Sequence, residues 1–118
     1  MNLAELFRYE SDFQTLAAGQ TLFKQGDPGE LMFVLMSGTA EIIVNNKVVE
    51  TAEAGAILGE MAMIDDGSRS ALVIAKSDCK LLPVDRQRFN FLVQQTPNFA
   101  IHVMRVIAAR LRKTDSLL

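Results

Sequence analysis

Turn-forming residues interrupt the chain so often between residues 13 and 84 that no long helix is expected there. Glycine recurs beside aspartate, serine or proline, most clearly at 25–29 and 37–38. Glycine adopts backbone conformations that other residues rarely use, and proline removes a backbone donor, so both residues break helices. The apolar runs between these breaks are short, which is typical of β-strands.

The side-chain pattern within these runs indicates two kinds of strand. Residues 31–36 form an unbroken apolar run, LMFVLM, which predicts a strand buried on both faces. Residues 39–44 alternate between polar and apolar side chains, which is the period of a half-buried strand. Asn45 and Asn46 tolerate positive φ and predict a hairpin into 48–52. Further apolar stretches at 13–16, 21–24, 56–58, 71–75 and 80–84 bring the set to about eight short strands, which indicates an antiparallel β-barrel or jelly roll.

Helices are predicted only at the two ends of the chain. Asn2, with Glu5 three residues later, has the form of a capping box and predicts a short helix that ends before Ser11. Asp85 predicts the start of a second helix, and Thr96, followed by proline, predicts the start of a third. The expected fold class is therefore mainly β, with a short N-terminal helix and two C-terminal helices.

The last predicted helix, from Pro97 to about Lys113, carries more apolar side chains than one face requires. We therefore expect it to meet two surfaces, and a second subunit or an effector protein is the candidate partner. Its basic end is expected to complement the helix dipole and stay solvated, with a patch for an acidic partner as the alternative. The apolar residues are Phe99, Ala100, Val103, Met104, Val106, Ile107 and Leu111, and the basic ones are Arg105, Arg110, Arg112 and Lys113.

Residues 59–71, GEMAMIDDGSRSA, combine the groups needed to hold a phosphorylated ribose. Glu60 opens a short run predicted to form one helical turn, whose N-terminus beside the bare backbone of Gly59 attracts negative charge. Arg69 follows a predicted turn, on what should be a new strand, where its planar fork can bind a phosphate through two hydrogen bonds. A carboxylate repels that phosphate, so Glu60 is expected to accept a hydrogen bond from a ribose hydroxyl.

This stretch resembles the phosphate-binding cassette of the cyclic-nucleotide-binding domain family, in which Gly-Glu-(Leu/Met)-Ala is followed by a turn and Arg-(Ala/Ser/Thr)-Ala. The resemblance covers nearly the whole chain and implies that Glu60 binds the ribose 2′-hydroxyl. It also implies that Arg69, with the backbone or hydroxyl of Ser70, holds the cyclic phosphate. The candidate ligand-binding residues are Gly59, Glu60, Met61, Ala62, Arg69, Ser70 and Ala71.

The resemblance further implies a regulatory domain that is not an enzyme, that needs no metal or cofactor, and that binds cAMP or cGMP. Ser70 leaves the choice between the two nucleotides open, because relatives that prefer cGMP also carry a hydroxyl after the arginine. In relatives the last helix closes over the base or pairs with a second subunit. No DNA-binding, kinase or channel segment accompanies the predicted domain in this sequence, so the output is expected in a partner protein or in the rest of a longer chain.

Composition limits the class of protein. The 118 residues, 49% hydrophobic, predict one domain over 1–118 with a real core. The formal net charge of −2 offers no electrostatic footprint for DNA, so no direct DNA binding is expected. No apolar run approaches the roughly 18 residues that span a bilayer, and a signal peptide is missing, so we expect no membrane contact and a cytoplasmic location.

Two alternative classes remain to be weighed. A cupin-like small β-barrel enzyme needs clustered metal ligands, but the chain has one histidine, His102, which is expected to be solvated. Cys79 is expected to be buried and inert rather than a nucleophile. Taken alone, Arg69 could form a solvated ion pair with Asp65 or Asp66. The second alternative class is an interaction module with a degenerate nucleotide pocket. The intact set of candidate ligand residues argues against this second alternative.

Overall fold

The computed structural model describes residues 1–116 and contains two four-stranded antiparallel sheets with helices at both ends of the chain. The strands are β1 (Gln14–Leu16), β2 (Thr21–Phe23), β3 (Met32–Ser37), β4 (Ala40–Val44), β5 (Lys47–Ala52), β6 (Ile57–Leu58), β7 (Leu72–Ala75) and β8 (Cys79–Val84). The helices are α1 (Leu3–Leu6), α2 (Arg86–Gln95) and α3 (Pro97–Ser116), and a 3₁₀ helix at Glu60–Met63, the cassette helix, lies between β6 and β7.

The strand order is β1-β8-β3-β6 in the first sheet and β2-β7-β4-β5 in the second. This arrangement confirms the predicted fold class, in its double-sheet jelly-roll form with two separate sheets. None of the helices within residues 1–116 combines the length and the apolar character required to cross a bilayer.

Strand β3 lies between two hydrophobic cores, which explains its unbroken apolar sequence. Met32 and Val34 face one core, which they share with the helices. Phe33 and Leu35 face the other core, which lies between the two sheets. Successive side chains of a strand point to opposite faces, so all four positions must be apolar. The predicted burial of this strand on both faces is confirmed.

Local signals at turns and helix ends are also confirmed. Asn45 and Asn46 both have positive φ and form the two-residue loop between β4 and β5. The side chain of Asn2 accepts a hydrogen bond from the backbone N–H of Glu5 at 3.1 Å. Asp85 caps α2 in the same way, and α3 begins at Pro97 as predicted but continues to Ser116.

Helix α3 meets one surface of the protein and leaves a second apolar surface exposed. Phe99 and Val103 are fully buried in the core that the helices share with β3. Ile101 and Met104 point away from that core, and Met104 is 59% exposed. The described residues thus supply one of the two surfaces that this helix is expected to meet, namely the core shared with β3.

Candidate functional site

Gly59 shapes the start of the site. Its φ of +74° lies in the left-handed region, and it directly precedes the cassette helix. A Cβ atom at this position would lie 2.5 Å from Nη1 of Arg69 and 3.3 Å from the carbonyl oxygen of Leu31. Both the backbone conformation and the space therefore require glycine. The predicted helical turn after Gly59 is present, as a 3₁₀ helix.

Arg69 lies in the loop before β7 rather than on the strand that was predicted there. Its backbone N–H donates to the carbonyl of Asp27 at 2.7 Å, and its carbonyl accepts from the N–H of Gly26 at 2.8 Å. These bonds connect the backbone of Arg69 to the turn at Gly26 and Asp27 instead of to a neighbouring strand. Regular pairing of β7 starts only at Leu72, opposite Ile43 of β4.

The side chain of Arg69 is buried, with 9% of the residue exposed. Its guanidinium carbon lies 4.2 Å from the centre of the Phe23 ring, and Nη1 donates to the carbonyl of Gly59 at 3.3 Å. Nε has no hydrogen-bond partner among the described residues. Burial lowers the pKa of Arg69, while the charges of Glu60 and Asp27 act to raise it. A buried cation with an unsatisfied donor is unfavourable unless another group compensates it.

The alternative ion pair between Arg69 and the neighbouring aspartates does not form. Asp65 accepts a hydrogen bond from the backbone of Gly67 at 2.9 Å, and Asp66 pairs with Arg86 at 3.4 Å. Arg86 also donates to the carbonyl of Ala62 at 2.8 Å, and so connects the first turn of α2 to the end of the cassette helix. No local signal in the sequence indicates this contact, which joins residues 24 positions apart.

Glu60 is buried, with 6% exposed, and its partner comes from α3. Nη1 of Arg110 lies 2.5 Å from Oε1 of Glu60. The same guanidinium binds both oxygens of Glu50 on β5, through Nε and Nη2, each at 3.1 Å. Glu50, Glu60 and Arg110 are called the Arg110 bridge below.

The charges of Glu50 and Arg110 shift each other's pKa in the direction that keeps both groups charged. Burial alone would lower the pKa of Arg110, but hydrogen bonds and charges from Glu50 and Glu60 hold it above its ordinary value. Burial likewise acts to raise the pKa of Glu50, while Arg110 and Lys113 bring it below its ordinary value. Glu50 and Arg110 therefore each favour the charged form of the other.

The prediction that Arg110 stays solvated is wrong, since its side chain is only 14% exposed. Arg110 follows Val106 and Ile107 by four and three positions, and residues at this spacing share one face of a helix. Both apolar residues pack against the helix-side core, so the helical spacing was a signal that could have revealed a buried arginine. Glu50 had no such signal, because its partner lies 60 residues away.

These elements surround one cavity with a volume of about 180 Å³. The cassette helix and Arg69 form its polar side, and α3 contributes Arg110, Ile107 and Leu111. Apolar side chains of the second sheet complete the wall, namely Phe23, Ile42, Val44, Val49 and Val73. The structure brings all seven candidate ligand residues to this cavity: Gly59, Glu60, Met61, Ala62, Arg69, Ser70 and Ala71.

The residues weighed for enzymatic chemistry lie elsewhere. Among residues 1–116, no three histidine, cysteine, aspartate or glutamate side chains are grouped so that they could hold a metal ion. Cys79 is buried, as expected, and burial raises the pKa of its thiol. His102 is half-buried rather than solvated. Burial, the N-terminal amine and Arg105 lower its pKa.

Comparison with known proteins identifies the family. The family profile described as cyclic nucleotide-binding domain matches residues 13–96. The chain therefore belongs to the cyclic nucleotide-binding domain family, as its cassette predicted.

Individual relatives match only through part of their length. A cGMP-dependent protein kinase of Toxoplasma gondii is 38% identical over 91 residues, which are 75% of this chain and 9% of the kinase. The cyclic AMP receptor protein of Thermus thermophilus is 29% identical over 102 residues, 82% of this chain and 47% of that protein. The chain thus spans less than half the length of these curated relatives.

Solved structures show the same architecture. The crystal structure of the Thermus thermophilus catabolite activator protein superposes with a TM-score of 0.78 and 27% identity, covering 96% of this chain and 54% of that one. A cAMP-bound PfPKA-R structure has a TM-score of 0.82 and covers 97% of this chain and 43% of that one. Its identity of 22% makes it a comparison of fold alone.

Proposed function

We propose that residues 1–118 form one sensor domain, without enzymatic activity, that binds cAMP or cGMP in the cavity between the cassette and α3. The observation that carries this proposal is the buried guanidinium of Arg69, whose Nε has no partner among the described residues. A phosphate oxygen is a strong acceptor for a charged donor and compensates the unfavourable burial of the cation. Arg69 is therefore the proposed phosphate ligand, supported by Ser70 and the backbone around Gly59 and Ala71.

The distribution of charge favours a ligand with a single phosphate. Arg110 already has two carboxylates as partners, whereas among the described residues Arg69 contacts the Gly59 carbonyl and the Phe23 ring and pairs with no carboxylate. Its guanidinium is thus available for an anion. A cyclic mononucleotide brings one negative charge, which matches that guanidinium.

The rest of the cavity suits a nucleoside. Glu60 uses one oxygen for Arg110, and a carboxylate has further acceptor sites for a ribose 2′-hydroxyl. Val44, Val49 and Leu111 offer apolar contact to a purine. Ser70 is compatible with either base, and the names of the Toxoplasma and Thermus relatives refer to cGMP and cyclic AMP respectively. We take cAMP as the first candidate.

We further propose that α3 transmits nucleotide binding. This helix supplies Ile107, Arg110 and Leu111 to the cavity, and its exposed Ile101 and Met104 offer a surface to a second subunit or an effector protein. The proposed setting is the cytoplasm, which agrees with a single cysteine that is buried and forms no disulfide among the described residues.

Isothermal titration calorimetry of the whole chain tests the proposal. We expect saturable binding of cAMP or cGMP at one site, and much weaker binding of 5′-AMP, whose phosphate is neither cyclic nor monoanionic. Arg69→Leu should lose this binding, while Arg112→Leu, which changes an exposed arginine of α3, should retain it. Absence of saturable binding for both cyclic nucleotides would instead favour an interaction module with a degenerate pocket.

A further inference from the structure

The Arg110 bridge connects three elements that are distant in the sequence. Arg110 on α3 contacts Glu60 in the cassette helix and Glu50 on β5. The contact with Glu50 is bidentate, with both carboxylate oxygens paired to separate guanidinium nitrogens. Such paired hydrogen bonds fix the orientation of both groups as well as their distance.

The second half of α3 combines this bridge with apolar contacts that are only half-buried, at Val106 and Ile107. Phe99 and Val103 anchor the first half in the core. Within the part of the chain that the structure describes, no residue of α3 after Val103 is fully buried, and Leu111 is 57% exposed. Segments with few buried apolar contacts are the first to open. The charged contacts of Arg110 are therefore positioned to hold the half of α3 that lines the cavity.

We propose that Glu50 is a positioning residue for nucleotide binding: it holds Arg110, and through Arg110 it holds the second half of α3 over the cavity. This inference rests on the proposed function. Glu50 is not among the described residues that line the cavity, so it does not touch the nucleotide. Its contribution passes mainly through Arg110, and a longer ion pair with Lys113 of α3, at 3.8 Å, adds to it.

The two carboxylates of the bridge have different tasks. Glu60 must accept from Arg110 and from the ribose hydroxyl at the same time. Both oxygens of Glu50 serve Arg110. When the ribose hydroxyl also donates to Glu60, Glu50 still holds the Arg110 guanidinium in place. Helix α3 therefore remains over the bound base.

Glu50→Gln tests this role, because it preserves the shape of the side chain and removes its charge. An amide has one accepting oxygen and presents an NH₂ group to the guanidinium, so the bidentate contact is lost. We expect a roughly three- to thirtyfold loss of affinity, below that for a fully broken buried charge pair because Glu60 still binds Arg110. The loss should appear in the dissociation rate of a fluorescent cyclic nucleotide, with the association rate nearly unchanged.

A double-mutant cycle separates positioning from a general structural role. In an Arg110→Gln background, Glu50→Gln should add little to the dissociation rate, because its effect requires Arg110. Glu53→Gln removes an exposed charge just after β5 and serves as the control. Additive effects of the two changes, or an unchanged dissociation rate in Glu50→Gln, would overturn the inference.

Hydrogen exchange without nucleotide keeps this test separate from the proposed function. In the unliganded protein, Glu50→Gln should speed amide exchange over 106–114 and leave 99–103 unchanged. If the wild type binds neither cAMP nor cGMP, the proposed function fails, and the exchange comparison still decides whether Glu50 holds α3. If the wild type binds but exchange over 106–114 is the same in the variant, the inference about Glu50 fails alone.

Discussion

Replacement of Arg69 by leucine removes the guanidinium proposed to bind the phosphate. Removal of one partner of a buried charged pair costs about 2–5 kcal/mol of binding free energy. At about 1.4 kcal/mol per tenfold change, this range corresponds to a loss of affinity between roughly thirtyfold and several thousandfold. The burial of Arg69, with 9% exposed, places it in the class of contacts to which this range applies.

The same replacement should have little effect on the stability of the unliganded protein. Leucine loses the contact of the guanidinium with Phe23, of order 0.5–2 kcal/mol, and the hydrogen bond to Gly59. It also removes a buried cation whose Nε is unsatisfied within the described part of the chain, and replacement of buried charge by apolar groups is often neutral or stabilising. We therefore expect the free energy of unfolding to change by less than about 1 kcal/mol.

Two measurements on the same variant check this reasoning. Calorimetry should show the loss of cyclic-nucleotide binding, and urea denaturation without nucleotide should show nearly unchanged stability. A change in affinity of less than about threefold, which is below 1 kcal/mol, would refute the assignment of the phosphate to Arg69. A loss of stability above about 2 kcal/mol would show that Arg69 mainly supports the fold.

Four further predictions concern Glu60, Gly59, Glu50 and Arg86. Glu60→Gln should weaken binding less than Arg69→Leu, because an amide oxygen still accepts from a ribose hydroxyl, and calorimetry showing equal losses would contradict this division of roles. Gly59→Ala should destabilise the protein by more than about 1 kcal/mol in urea denaturation, since φ is +74° and a Cβ would approach the Arg69 guanidinium. Unchanged stability of the variant would contradict this geometry. Glu50 has a lowered pKa in the folded protein, so its pair with Arg110 stabilises the fold at pH values above the ordinary glutamate pKa of about 4.3. This contribution is lost as the pH falls below that value and through the lowered pKa of the folded protein. Stability in Glu50→Gln should accordingly fall less steeply with acidification, and parallel pH curves for the two proteins would be inconsistent with the pair. Arg86→Gln removes the donor to the Ala62 carbonyl and should speed amide exchange at 62–66, whereas unchanged exchange would show that the contact does not hold the cassette.

Much of the fold follows from local signals in the sequence. The apolar run of β3, the asparagines of the β4–β5 hairpin and the cap at Asp85 each predict what the structure contains. These features depend on backbone preferences and on side-chain periodicity, which act within a few residues. The cassette could be recognised for the same reason, because its glycine, glutamate and arginine occur at a fixed local spacing.

Contacts between distant elements were decided by the tertiary structure. The sequence places Arg69 beside two aspartates, but Asp66 pairs with Arg86, and no carboxylate among residues 1–116 pairs with the Arg69 guanidinium. That pairing depends on how α2 packs against the cassette, which neighbouring residues cannot specify. The state of Arg69, on which the proposed function depends, is therefore a property of the folded chain.

Arg110 illustrates both what local sequence signals predict and what only the tertiary structure decides. Helical periodicity alone puts it on the same face as Ile107, and so allows burial. Only the packing of α3 against β5 and the cassette helix brings Glu50 and Glu60 within hydrogen-bond distance of its guanidinium. A buried charge needs partners in three dimensions, and these partners lie 60 and 50 residues away along the chain.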